Sequence, residues 1–383
     1  MRDKQILILG LSYLFYFAML GALVPFMGVF LDSRGLTSVE IGQLLSLITI
    51  TRILGPNLWA FLADKTGKNL RVLQLGSFLT LAGFSVVYVS FGFWSLTLAF
   101  SLFMLFWTAV LPQIEVITLN NIEGNPARYS RIRLWGSIGY ILFSVVGGFV
   151  IDWNGPGALL YLCSIILLGL FLSTLFVKDT KVASKPSDAL ESMWKMISAW
   201  PFVAFMLSAI LLQVSFGPFY SFFALYMRDI GYTGQQTGWL IALGVAAEVF
   251  IFIYAGKLIN RFGVKSVMLF CIGMTALRWW LLASAANVLT LLIFSQLIHA
   301  LSFGLTHSAS IHFIHRYFTG KYQTRGQALY TSVSFGVGGA VGNLIAGQIW
   351  MQGQGAFNTY LFSTFAALAS AIILLIIPRA RME

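Results

Sequence analysis

Long apolar runs separated by short polar segments dominate the chain. A membrane-crossing helix needs roughly 20 mostly apolar residues, and twelve runs meet that length: 6–31, 39–63, 71–91, 94–118, 131–153, 156–177, 199–227, 236–259, 265–286, 288–314, 325–350 and 356–377. Nearly every connection is short. The longest, 178–198, is polar and carries Lys178, Asp179, Lys181, Lys185, Pro186, Asp188, Glu191 and Lys195. The pattern predicts an all-α polytopic membrane protein, with a six-helix half over 1–177, a linker over 178–198 and a second six-helix half over 199–383.

Composition agrees. Of the 383 residues 58% are apolar and 10% charged, against roughly 25% charged in a soluble domain. That excludes a soluble enzyme, a disordered chain and a disulfide scaffold. Cys163 and Cys271 lie inside apolar runs, without metal-ligand spacing. The first apolar run is too long for a signal-peptide core and has no small-residue cleavage site, so it is read as a retained span.

The net charge of +11 could suggest nucleic acid. Its distribution argues otherwise. If both termini are cytoplasmic, all of the 24 Lys and Arg except Arg34, Arg228, Arg52 and Arg278 fall on the cytoplasmic side. Basic loops mark that side of a membrane, so the excess is a topology signal. The expected location is a bacterial inner (cytoplasmic) membrane, with no nucleic-acid partner.

The halves repeat. Gly35, Thr37 and Gly42 recur as Gly231, Thr233 and Gly238. Asp64-Lys65-Thr66-Gly67 recurs as Asn260-Arg261-Phe262-Gly263. Every pair is offset by 196 residues. Parallel repeats about an axis along the membrane normal are one architecture of secondary transporters.

Here the residues resemble a family. Ala60-Phe61-Leu62-Ala63-Asp64-Lys65-Thr66-Gly67-Lys68 looks like the loop signature of the major facilitator superfamily between spans two and three, and Gly256–Gly263 like its second copy. Ala60 and Asn260 depart from the usual Gly and Asp. The resemblance implies twelve helices, a central substrate cavity and alternating access, with Asp64, Lys65, Gly67, Asn260, Arg261 and Gly263 in gating loops. Glu115 followed by Arg133, 18 residues on, resembles the lactose permease group of proton symporters, in which such a pair binds substrate. Arg133-Leu134-Trp135-Gly136-Ser137, Gly244–Val249, Leu277-Arg278-Trp279 and the pair His299 and His307 are similar to the 3-phenylpropionate permease type within it.

A charge at the bilayer centre costs at least ~2.5–3.5 kcal/mol, so it normally faces a cavity or a partner. Arg52 lies 12 residues before Asp64, roughly 18 Å along a helix, near the midplane. Glu248 stands in the same relation to Asn260, so the repeat puts opposite charges at equivalent positions of spans two and eight. Arg278 is also near mid-depth. A Glu248–Arg278–His299 cluster has the composition that proton coupling requires, a carboxylate whose proton affinity a nearby cation can change. A static packing network is the bland alternative.

Span ten carries Gln296, His299, Ser302, Thr306 and Ser310 at intervals of one helical face, which suggests a wet cavity. Ser302 stands where the lactose group has its proton-carrying Glu, so Glu248 is the expected proton site. His307 lies slightly off the stripe and is read as a helix–helix hydrogen bond. Substrate contacts are expected from Arg52, Glu115, Arg133, Tyr140, Gln213 and Tyr220. Gly217-Pro218 predicts a broken span seven, and the glycines of span eleven predict close helix contact.

No nucleotide-binding motif is present. The expectation is a secondary transporter without cofactor, metal or enzymatic activity, working as a monomer in the lipid bilayer. It would take up a small organic solute with protons, an aromatic carboxylate such as 3-phenylpropionate being favoured. A sugar or nucleoside symporter, a facilitator, an efflux antiporter and a non-transporting receptor or scramblase are the alternatives.

Overall fold

The computed structural model describes residues 2–122, 125–178, 193–320 and 322–382. Most of the 178–198 linker lies outside the described residues; Trp194–Ile197 form one short helical turn. Among the described residues, twelve helices are long and apolar enough to cross a membrane: Lys4–Ser33, Ser38–Ala63, Asn69–Val89, Phe93–Asn121, Arg128–Asn154, Ala158–Leu175, Trp200–Asp229, Gly234–Phe262, Val264–Ala285, Leu289–Tyr317, Tyr322–Gly353 and Ala356–Ile376. These are spans one to twelve. Each overlaps the run expected from hydropathy.

The chain forms two compact units. One comprises Met1–Pro186 with Met227–Ala242, the other Ser187–Tyr226 with Leu243–Glu383.

The repeat is built from matching local devices. Before span two, Gly35 takes a positive φ of 82° and Thr37 forms a capping box with Glu40. Before span eight, Gly231 has φ 94°, and Thr233 and Gln236 exchange the same pair of hydrogen bonds at 2.9 and 3.1 Å. Such boxes satisfy two N–H groups that a helix start otherwise leaves unpaired. Gly67 and Gly263, φ 61° and 83°, end the same two spans in the conformation that glycine adopts without strain.

Close helix contacts repeat too. A Cβ on Gly21 of span one would meet the Tyr140 carbonyl oxygen of span five at 2.3 Å. A Cβ on Gly217 of span seven, 196 residues later, would meet the Gly342 carbonyl carbon of span eleven at 2.2 Å. Small residues let these backbones touch, as the glycines of span eleven predict.

Two helical irregularities differ from expectation. Span seven is continuous through Gly217-Pro218. Proline there deprives only the Val214 carbonyl of its donor, and Gly342 packs directly on that carbonyl. The interruption falls in span four, which divides into Phe93–Trp107 and Val110–Asn121. Pro112 explains it, because its ring excludes an ordinary turn against the Thr108 carbonyl four residues earlier. Trp59 Nε1 and Thr108 Oγ1 both donate to the Leu105 carbonyl beside the break, at 2.7 and 2.8 Å.

Candidate functional site

In the second unit, three charged or titratable groups from three spans form a chain. Arg278 of span nine is fully buried. Its Nη1 lies 3.0 Å from His299 Nδ1, and Nη2 lies 3.5 Å from Gln296 Oε1. Its guanidinium stands 4.4 Å from the ring centroid of Phe219 and 4.5 Å from that of Trp279. On the far side of the imidazole, His299 Nε2 is 3.5 Å from Glu248 Oε2. Arg278 has no carboxylate within 4 Å among the described residues, and its Nε has no hydrogen-bond partner.

This geometry fixes the imidazole's role. A guanidinium donates only, so His299 Nδ1 accepts from Arg278. The ring proton is then on Nε2, directed at Glu248. A second ring proton would oppose N–H to N–H and break the Arg278 contact. Protonating His299 and releasing Arg278 are therefore one event.

Aromatic rings enclose the chain. The Phe216 and Phe219 ring centroids lie 6.4 and 6.1 Å from that of His299, and the Phe219 plane is inclined to it by 28°. Tyr220 packs on both phenylalanines. Gln213 is buried one turn before Phe216 and lines a small cavity with span ten. The five polar residues of the span-ten stripe, Gln296 to Ser310, are all buried.

The first unit holds the other expected residues in a looser arrangement. Glu115 is half-buried and accepts from the Tyr129 hydroxyl at 3.4 Å. Among the described residues no cation lies within 4 Å of it. Arg133 stacks on aromatic rings instead, 3.8 Å from the Phe17 centroid and 6.0 Å from that of Tyr13. Tyr16 stacks on Trp107 at 4.1 Å. Arg52 is exposed on span two and acts electrostatically on Tyr16. Tyr140 is half-buried on span five, and its backbone packs on Gly21. Arg52 and Glu248 fall in separate units.

Of the loop residues, Lys65 is exposed with its ammonium 5.8 Å from the Phe61 ring. Gly67 closes span two by donating to the Ala63 carbonyl, and Gly263 closes span eight by donating to that of Ile259. Asn260 and Arg261 are exposed. The Asp64 side chain lies outside the described residues.

At the end of this unit that carries few basic residues, Arg228 Nη1 is 2.6 Å from Asp32 Oδ2. These two residues are themselves 196 apart. Asp152 accepts from the backbone N–H groups of Gly234 and Gln235, at 2.6 and 2.8 Å, where span eight begins. A carboxylate suits the positive end of a helix.

The model of the MFS_1 like family matches residues 6–362. The chain belongs to this family of major facilitator transporters. The transporter is 29% identical over 362 residues to the probable 3-phenylpropionic acid transporter of Escherichia coli K12, covering 91% of this chain and 92% of that one. It is 26% identical over 381 residues to the maltose permease of Geobacillus stearothermophilus, covering 96% and 93%. Among solved structures, a variant of the nucleoside transporter NupG superposes with a TM-score of 0.87 at 16% identity, over 97% of this chain and 99% of that chain. The resemblance read from the sequence motifs is thereby borne out, as are the twelve-helix fold and the character of an integral membrane transporter.

Several features of the transporter's site were not legible. The expected interhelical hydrogen bond of His307 is not made by Nδ1, which is buried without a partner. The π-helical turns Ala300–Leu305 and Thr331–Gly338 were not foreseen. Neither was the packing of Glu248 against Gly304, where a Cβ would come within 2.9 Å of the Glu248 Cγ.

Proposed function

We propose that this transporter is a proton-coupled symporter that takes up a small organic anion by alternating access, an aromatic carboxylate such as 3-phenylpropionate being the favoured class. The single observation that carries the reading is the chain Glu248–His299–Arg278. A fully buried guanidinium with only neutral partners is costly, by several kcal/mol after relaxation. An anion that reaches it recovers part of that cost.

Protonation supplies the opportunity. A proton taken up at Glu248 neutralises the carboxylate that faces the Nε2–H, so the imidazole is free to turn and let go of Arg278. The released guanidinium is then free to bind a carboxylate. Phe216, Phe219 and Tyr220 offer faces on which a flat ring can pack. Arg52, Glu115, Arg133, Tyr140 and Gln213 are assigned to solute contact, and the loops around Asp64 and Asn260 to gating. The likeness to a probable 3-phenylpropionic acid transporter supports the same solute class. Both termini are assigned to the cytoplasm of a bacterial inner membrane, because the basic residues gather at that end.

A sugar or nucleoside is the second reading. Glu115, with no cation within 4 Å among the described residues, can accept from hydroxyl groups, and Tyr16 stacked on Trp107 lies in the same unit. The test is alkalinisation of the medium when 3-phenylpropionate, maltose or a nucleoside is added to energy-depleted cells expressing the protein. Alkalinisation with 3-phenylpropionate alone supports the anion reading. Uptake of any of the three without a pH change contradicts symport.

A further inference from the structure

One feature of span ten lies beyond this relay. Glu248 rests on Gly304, five residues after His299 and three before His307. Without a Cβ at Gly304, the stem of Glu248 lies directly on the span-ten backbone between His299 and His307 in the sequence. The Glu248 charge acts on both imidazoles.

The rings are aligned as well. His299, Phe303 and His307 form a near-parallel stack, with centroids 5.7 and 6.0 Å apart and planes within 10° and 11° of each other. A regular α-helix turns 100° per residue and keeps i and i+4 on one face. The π-helical turn at 300–305 shifts that register, and Thr306 Oγ1 donates to the carbonyl of Leu301, five residues back, at 2.8 Å. Such single π turns occur frequently at functional sites.

His307 lines a small cavity with both polar and apolar walls. Its walls include Ser208 and Gln213 of span seven, Ser302, Thr306 and Ser310 of span ten, and Tyr330 of span eleven. It has room for about one water molecule. His307 Nδ1 is buried beside it with no partner in the protein. A buried polar atom without a hydrogen bond costs roughly 1–3 kcal/mol, and a water with several polar neighbours removes that cost.

We propose that His307 is a second protonation station: it holds a water in this cavity and exchanges a proton with Glu248 when the carboxylate turns over Gly304, away from His299. The inference rests on the symport reading for its role in transport, but the alternation of Glu248 between two histidines is independent of the solute. The step moves one proton between the carboxylate and the imidazole, with no other bond made or broken. The titratable groups around His307 are Glu248 from span eight and Tyr330 from span eleven, with Cys271 of span nine next to Thr306. Span seven contributes Ser208, Ala209, Leu212 and Gln213 to the cavity wall, none of them titratable.

The experiment is infrared titration of the purified full-length protein in lipid, without solute. The carboxylic-acid C=O stretch of Glu248 is assigned by its loss in Glu248→Gln, and its intensity is followed against pH. In His307→Gln the midpoint should move by ~1 pH unit or more, a tenfold change in proton affinity. Gly304→Ala, whose added methyl meets the Glu248 stem, should shift the midpoint with His307 intact. Retained cooperative melting in detergent checks the fold of each variant. A midpoint unchanged in both variants overturns the proposal, whatever the outcome of the symport test. A wild-type protein that alkalinises the medium with solute but has an unchanged midpoint in both variants leaves symport standing and removes His307 from the pathway.

Discussion

The two units place their buried charges in opposite ways. In the second, Glu248, His299 and Arg278 touch in sequence, so a change in one must alter the next. In the first, Glu115 leans on a tyrosine while Arg133 lies on Phe17. Among the described residues no hydrogen bond or ion pair joins the two. A continuous chain suits a proton, which moves by changing hydrogen-bond partners. Separate groups suit a solute, which brings its own polar atoms to bridge them. The repeat gives both halves of the sequence matching capping boxes, while the break in span four and the π turns of spans ten and eleven set their backbones apart.

The comparison can be broken most severely at Arg278. Arg278→Met should cut uptake by ~100-fold or more, because it removes the group displaced by protonation. It should leave the melting temperature in detergent unchanged or higher, since a well-packed apolar group can replace a buried ion without loss. A large drop in melting temperature would mean that the cluster is structural. A smaller effect is expected in the other unit. Glu115→Gln should raise KM for solute by ~10-fold, about 1.4 kcal/mol of binding, with the ratio of protons to solute unchanged. A changed ratio, measured in reconstituted vesicles, would erase the distinction between the units. The smallest effect is expected at Asp32–Arg228. This pair is partly exposed, so Asp32→Asn should change stability by less than ~1 kcal/mol, as thermal melting would record.

The spans and the repeat were readable because hydropathy and capping are local. Gly35, Thr37 and Gly67 announce their turns, and their partners 196 residues on do the same. Glu248, Arg278 and His299 were readable for a different reason: charge inside an apolar run is costly, so it marks itself. The rest depends on packing. Pro218 looks disruptive in isolation, yet Gly342 covers its freed carbonyl, whereas Pro112 breaks span four. Arg133 reads as a solute ligand or an anchor until Phe17 is seen beneath it. His307 drops off a stripe drawn with a 3.6-residue period because the helix beneath it widens to a π turn. No pattern of polar residues along one helix could have announced that Gly304 receives the stem of Glu248, since the occupant comes from span eight.

The central claim is that the second unit's chain carries the proton. Glu248→Gln in vesicles with an imposed proton gradient tests it most directly. The amide cannot load or release a proton, so the empty carrier cannot reset. Uphill accumulation of solute should be lost, while exchange of labelled for unlabelled solute across the membrane continues. Normal gradient-driven accumulation in this variant would contradict the account.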